Sequence, residues 1–235
     1  MKILIACECS QTVCKAFRDR GHEAYSCDIE PCYGGKPEWH IQCDCTKYIY
    51  GDVAFETQNG DKYYVQQFDI IIAHPPCTYL SRVQAPLYNK KRFGDEYVNR
   101  RLKSRQEAIN FFLLFTRLSC RWCIENPPGL MSKLYRKPDQ TIQPFWFGDY
   151  ATKATCLWLH NLPLLEKTQI VEPPPSHKYP NSNSCGAWYY ETSKLPLKDR
   201  ARARSKTFDG IAQAMAEQWG KLDNIVNKQM SLNLN

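Results

Sequence analysis

With 235 residues, 43% hydrophobic and 23% charged, the chain is sized for one well-buried domain with a small appendage. No apolar stretch approaches the ~20 residues of a membrane span, and Met1-Lys2-Ile3-Leu4-Ile5-Ala6 is too short for a secretory segment, so a soluble cytoplasmic protein with no membrane contact is expected. The net charge of +7 is modest but clustered, and basic clusters suit phosphate-bearing partners.

Lys2 to Ala6 reads as a buried first strand. Ser10 is placed to cap a helix from Gln11 to Arg20, with Gly21 as its stop. Glu23 to Cys27 is a second strand ending at Asp28, and Ile41 to Cys43 a third ending at Asp44. Asn59-Gly60, between flanks that carry Tyr and Val, predicts a surface hairpin. The run Phe68-Asp69-Ile70-Ile71-Ile72-Ala73 is apolar at almost every position, as a central parallel strand should be.

Residues 74–98 read as a long, polar, basic loop. This loop and the start of the next element carry Arg82, Lys90, Lys91, Arg92, Arg100, Arg101, Lys103 and Arg105 against Asp95 and Glu96. A helix from Arg100 to Leu118 follows, with Leu102, Ala108, Ile109, Phe112 and Phe115 on one face. Trp122 to Glu125 is a fifth strand, and Thr155 to His160 another. Pro173-Pro174-Pro175 opens an irregular insertion reaching residue 200, and a second basic cluster runs through Lys194, Lys198, Arg200, Arg202, Arg204 and Lys206. The closing helix spans Asp209 to Trp219, with Ile211, Ala212, Met215 and Trp219 on one face.

Strands alternating with helices predict an α/β fold with a mostly parallel, doubly wound sheet. Residues 1–160 form the core, 161–203 a small insertion, and 204–235 the closing helix and a tail. The twelve cysteines lack two well-formed CxxC knuckles. Cys120 and Cys123 have the spacing, but Arg121-Trp122 between them introduces a strand. Reduced, packed thiols and no metal are expected.

Ligands of such sheets bind outside the carboxyl ends of the strands. Asp28, Asp44, Cys77 and Glu125 all fall at predicted carboxyl ends. A thiolate at Cys77 could add to carbon 6 of a pyrimidine, which makes carbon 5 nucleophilic enough to accept a methyl group. Pro75 and Pro76 stiffen the turn that presents it. Taken alone, Cys77 reads equally well as a buried structural cysteine. Glu125 could hold ring nitrogen 3 and the amino group, although a solvated acid in a strand-to-loop turn would look the same. Asp28 is placed for ribose hydroxyls and Asp44 for an adenine amino group. The loop Ala6-Cys7-Glu8-Cys9-Ser10-Gln11 has no glycine, which argues against a pyrophosphate cradle and leaves room for a phosphate-free cofactor such as S-adenosylmethionine.

Pro75-Pro76-Cys77-Thr78-Tyr79-Leu80-Ser81 resembles the PPCQxFS nucleophile segment of the DNA cytosine-5 methyltransferases. Cys123-Ile124-Glu125-Asn126-Pro127-Pro128-Gly129-Leu130 resembles that family's ENVxGL segment. His74-Pro75-Pro76-Cys77, Lys153-Ala154-Thr155-Cys156-Leu157-Trp158-Leu159 and Gly210-Ile211-Ala212-Gln213-Ala214-Met215-Ala216 are similar to a compact, phage-type branch. The resemblance covers residues 2–160 and 204–219.

It implies a Rossmann-like methyltransferase fold and a cytosine-methylating enzyme of the restriction–modification kind. Cys77 and Glu125 would be catalytic, and Lys153 would stand where the family has an arginine beside the cytosine. S-adenosylmethionine would lie against Ala6, Cys7, Glu8, Ser10, Asp28, Ile29, Asp44, Cys45, Pro75 and Ile211. DNA phosphates would meet Arg82, Lys90, Lys91, Arg92, Arg100, Arg202 and Arg204, on a monomer or weak dimer. The chain departs from the family in its glycine-free first loop, in lacking the QxRxR arginines, and in having no large target-recognition domain. RNA or a free nucleotide therefore stays open as substrate, as does a non-catalytic nucleic-acid-binding role. An amino-group methyltransferase fits less well, because neither Pro-Pro loop ends in an aromatic residue. No residue is assigned as the base that removes the carbon-5 proton.

Overall fold

The computed structural model describes residues 1–177 and 185–222. Its first strand, β1 (Lys2–Ala6), explains the architecture in miniature. Ile3 and Ile5 point to one side of the sheet, and Leu4 and Ala6 to the other, and all four are buried. A strand apolar on both faces must be central and covered by helices twice.

After β1 come helix α1 (Thr12–Arg18), β2 (Glu23–Asp28), β3 (His40–Gln42) and the antiparallel hairpin β4 (Val53–Glu56) and β5 (Lys62–Val65). Strand β6 (Ile70–Ala73) returns the chain to the middle of the sheet. The short α2 (Lys90–Phe93) and long α3 (Asp95–Phe115) lead to β7 (Arg121–Asn126), α4 (Met131–Leu134), β8 (Gln140–Ile142) and β9 (Thr155–His160). The remainder is a two-stranded ladder, β10 (Ser176–His177) with β11 (Cys185–Gly186), then α5 (Ala187–Ser193), α6 (Leu197–Ser205) and α7 (Asp209–Trp219).

The seven-stranded sheet has the order β3-β2-β1-β6-β7-β9-β8. Strands β3 to β7 in that order pair in parallel, while β9 runs antiparallel to both β7 and β8. The protein is thus α/β, with a mostly parallel sheet as expected. The chain winds outward from β1 to β3, then crosses back to β6 on the other side of β1. That reversal creates a switch point between the carboxyl ends of β1 and β6, the place where doubly wound sheets receive ligands.

One core lies between the sheet and the pair α1 and α7, through Val13, Phe17, Ile70, Ile72, Met215 and Trp219. The other lies beneath α3, through Phe112, Phe115, Ile71, Ile124 and Trp158. Each such side chain contributes about 1.5–3 kcal/mol by leaving water. The two largest find partners for their indole N–H groups as well: Trp158 donates to the Arg136 carbonyl at 2.8 Å and Trp219 to that of Pro163 at 3.0 Å.

Several expectations need correction. Residues 74–98 are not one loop: a 3₁₀ segment (Arg82–Tyr88) and α2 occupy much of it, and α3 already starts at Asp95. Leu102 is 41% exposed and leaves the predicted face of α3, whereas Phe112 and Phe115 are buried as expected, Ala108 and Ile109 pack against that core, and Val98 is buried as well. The insertion is not irregular throughout, since α5 and most of α6 lie within it. Residues 178–184 of that insertion, and the predicted tail from 223 onward, lie outside the described residues. Strand β8 had no visible signal. Among the described residues, no helix is long and apolar enough to cross a membrane, and no group of His, Cys, Asp and Glu side chains could hold a metal ion. Among the described residues no disulfide is formed.

Candidate active site

The loop after β1 must turn sharply to enter α1, and it does so without glycine. Cys7 and Gln11 both take left-handed backbone conformations, with φ of 61° and 60°. Non-glycine residues held there store about 1–3 kcal/mol each, strain that clusters at functional sites. Gln11 is held by its own carboxamide, which accepts from the Lys36 N–H at 3.0 Å and donates to the Lys36 carbonyl at 2.7 Å. Ser10 takes only the first helix N–H, its Oγ accepting from Thr12 at 3.4 Å. Glu8 takes the next two, accepting from the N–H groups of Val13 at 2.8 Å and Cys14 at 3.2 Å.

Glu8 is 4% exposed. Burial pushes its carboxyl above the usual range, against the pull of His74 and of the two helix N–H groups. The amino end of α1, which could otherwise receive an anion, is therefore filled by the protein's own carboxylate. A cofactor that relied on phosphate at that helix end would find no vacancy.

A cleft of 570 Å³ opens over the switch point, a volume within the range of small-molecule sites. Cys7, Glu8, Ser10 and Asp28 form its floor, and His74, Pro76, Cys77 and Thr78 one wall. Lys198, Arg202, Arg204 and Ser205 of α6 form the opposite side. Asp28 is held above the ordinary carboxylate range by burial, against an N–H bond from Glu30. Ile29 beside it is 71% exposed, an apolar side chain with little cover.

The other predicted cofactor contacts fall elsewhere. Asp44 does not line the cleft: its carboxylate caps the next turn by accepting from the Thr46 N–H at 2.9 Å. Cys45 is buried, and Ile211 is wedged in the core beneath the sheet. Ala6 and Pro75 are buried supports rather than lining.

Cys77 and Glu125 come from separate strand ends that register side by side, Ala73 opposite Ile124. The loops beyond are fastened together. Asn126 is buried, and its amide donates to the Pro75 carbonyl at 2.7 Å. Ser81 bridges Gly129, and the Leu130 N–H donates to the Leu80 carbonyl at 2.9 Å. A side chain on Gly129 would strike the Leu80 carbonyl, a backbone atom that cannot step aside. Gly129→Ala is expected to lower stability by about 1–3 kcal/mol through overpacking. A denaturant midpoint equal to the parent's would contradict the tight fastening.

Cys77 is exposed at the cleft wall. Crowding by neighbouring atoms raises its thiol, the Glu125 charge raises it further, and Lys153 pulls it down. Glu125 does not line the cleft and is reached through His74, whose Nδ1 lies 3.2 Å from Glu125 Oε2. Its side chain is 17% exposed. Burial raises the Glu125 carboxyl, but the His74 hydrogen bond, the Lys153 charge and the His74 charge together outweigh it, leaving it below the usual range. Cys77, Glu125 and Lys153 thus lie within electrostatic reach of one another. Lys153 Nζ donates to the Arg204 carbonyl at 2.9 Å and sits near the Trp188 and Phe208 rings, a point charge without a fork.

The basic residues divide into two kinds. Arg82, Lys91 and Arg92 are exposed, while Lys90 pairs with Asp95 at 2.8 Å and Arg100 with Glu96 at 3.7 Å. Arg202 lies over the Tyr33 ring across the cleft. Arg204 is spent internally on Thr192 and the Tyr189 carbonyl. Arg101 and Arg105 lie over the rings of Tyr79 and Tyr88 and so brace the segment behind Cys77.

His74 and Asn126 stand within the motifs quoted above but were given no role there, and Gln11 was named only as the start of a helix. The one available signal was the histidine abutting Pro-Pro-Cys at a strand end. No family model matches the chain, and no curated protein is similar to it.

Proposed function

We propose that this chain is an S-adenosylmethionine-dependent methyltransferase that adds a methyl group to carbon 5 of cytosine in DNA, in the cytosol. The observation that carries the reading is the fastening of the Cys77 loop to the Glu125 strand at the switch point, with both groups in the field of Lys153. An exposed thiol beside a charged carboxylate is the pair that covalent activation of a pyrimidine requires.

The target base, flipped out of its helix at a few kcal/mol, would enter beside Cys77. Cys77 sulfur adds to carbon 6 while Glu125 holds the amino edge, and carbon 5 then takes the methyl group. Asp28, Glu8 and Ile29 suit the adenosine and the cationic end of a phosphate-free donor. When bound, the donor supplies the methyl group and nothing else. Arg82, Lys91 and Arg92 would hold phosphates beside the nucleophile loop.

A base on RNA or a free nucleotide is the second reading, favoured by the α6 residues Lys198, Arg202 and Arg204 that line the same cleft as Cys77. One experiment separates the cases. The protein is incubated with S-adenosylmethionine and, in parallel, DNA, RNA and cytidine nucleotides, and the digested nucleosides are weighed by mass spectrometry. 5-Methylcytosine from DNA is expected. A base methylated on its amino group, or no methylated base at all, would contradict the proposal.

A further inference from the structure

Among the charged groups of the cleft, His74 has no task in the reaction just described. It precedes Pro75-Pro76-Cys77, lines the cleft, and has a side chain only 8% exposed. Its Nδ1 meets Glu125 Oε2 at 3.2 Å. Its Nε2 is buried with no hydrogen-bond partner among the described residues. A buried ring nitrogen left open is uncommon and calls for an explanation.

The Glu125 contact supplies half of one. An ionised carboxylate can only accept, so Nδ1 carries a proton, and in the neutral ring Nε2 is then the nitrogen with the lone pair. A carboxylate that fixes the tautomer and then stabilises the imidazolium is the arrangement by which a histidine becomes a general base. The remaining groups around the ring fit that role. Glu125 comes from β7, Glu8 from the loop after β1, and Cys77 from the same turn, while the Lys153 charge acts on both Glu125 and Cys77.

We propose that His74 is the catalytic base that removes the carbon-5 proton in the last step, with Nε2 as the accepting atom. This rests on the carbon-5 methyltransferase reading. After methyl transfer, carbon 5 carries the new methyl group and a hydrogen, and carbon 6 carries the Cys77 sulfur. The carbon-5–hydrogen bond breaks and its proton moves to Nε2. Its electron pair forms the double bond between carbons 5 and 6. The carbon-6–sulfur bond breaks in the same step, and Cys77 leaves as thiolate with the electrons of that carbon–sulfur bond. The imidazolium returns its proton to solvent once product departs.

The test uses the full chain, S-adenosylmethionine, and long DNA of mixed sequence carrying either cytosine or 5-fluorocytosine. His74→Asn keeps a donor toward Glu125 and has no basic nitrogen. Fluorine leaves no proton to remove, so the variant should trap 5-fluorocytosine DNA within about twofold of the parent, while turnover on ordinary cytosine falls ~100-fold or more. A methylated covalent adduct should accumulate on ordinary cytosine, which a merely supporting residue would not cause. His74→Gln should repeat the pattern. Turnover within about fivefold of the parent overturns the assignment, since a general base is worth more than that. Loss of trapping together with turnover in both variants overturns it too, and makes His74 a support for Glu125. A parent that fails to trap 5-fluorocytosine DNA sinks the methyltransferase reading itself, and the base with it.

Discussion

With Cys77 replaced by alanine, methylation of DNA is expected to fall ~1,000-fold or more, because the variant lacks the sulfur that the proposed mechanism adds to the ring. The fold should be indifferent. Cys77 is exposed and forms no part of either core, so the change in stability should stay within about 0.5 kcal/mol. Binding of the methyl donor should persist as well, since the Asp28 and Glu8 side of the cleft is untouched. Methylation rate, melting temperature and calorimetric donor binding check the three statements together. Undiminished methylation would remove the covalent mechanism.

Glu125→Gln is expected to lower the methylation rate by ~100- to 1,000-fold, about 3–4 kcal/mol, by removing a preorganised charge from the ring's amino edge. Gln keeps an oxygen for His74 Nδ1, so the loss would report charge rather than collapse. A second effect has the opposite sign. The Glu125 carboxylate disfavours a thiolate at Cys77, and removing that charge makes the thiolate easier to form. Alkylation of Cys77 by iodoacetamide, followed against pH by peptide mass spectrometry, should therefore start at lower pH in the variant. An unchanged or upward-moved profile would mean that the two groups do not sense each other.

Much of the sheet was legible because burial leaves a local trace. Ile70-Ile71-Ile72 can only be a central strand, and Ile211, Ala212, Met215 and Trp219 recur at the spacing of one helical face, so α7 falls where predicted. The places of Asp28, Cys77 and Glu125 at or just beyond strand ends were legible too, from the apolar runs before them and from Pro75-Pro76 and Pro127-Pro128. Strand β8 was not legible: three residues are too few to show a period, and its partner β9 begins more than ten residues later. The helical turns over 82–93 were masked by lysine, arginine and an internal Pro86.

At the site, the missing information was long-range. Nothing local in Cys7 or Gln11 announces a left-handed backbone, which tertiary contacts such as Gln11 with Lys36 impose. Ser10 looked like the cap by residue type, yet Glu8 took the N–H groups of Val13 and Cys14. The partner of His74 lies 51 residues away on another strand. Ile211 and Asp44 failed as cofactor contacts for the same reason, their surroundings being set by the packing of α7 and by a local turn.

The most direct measurement of the central claim is covalent capture. DNA containing 5-fluorocytosine is incubated with the protein and S-adenosylmethionine, denatured, digested, and the cross-linked peptide sequenced by mass spectrometry. A single adduct joining the base to the sulfur of Cys77 is predicted, dependent on the methyl donor and absent from Cys77→Ala. A parent protein that yields no adduct, or one attached to a different cysteine, would contradict it.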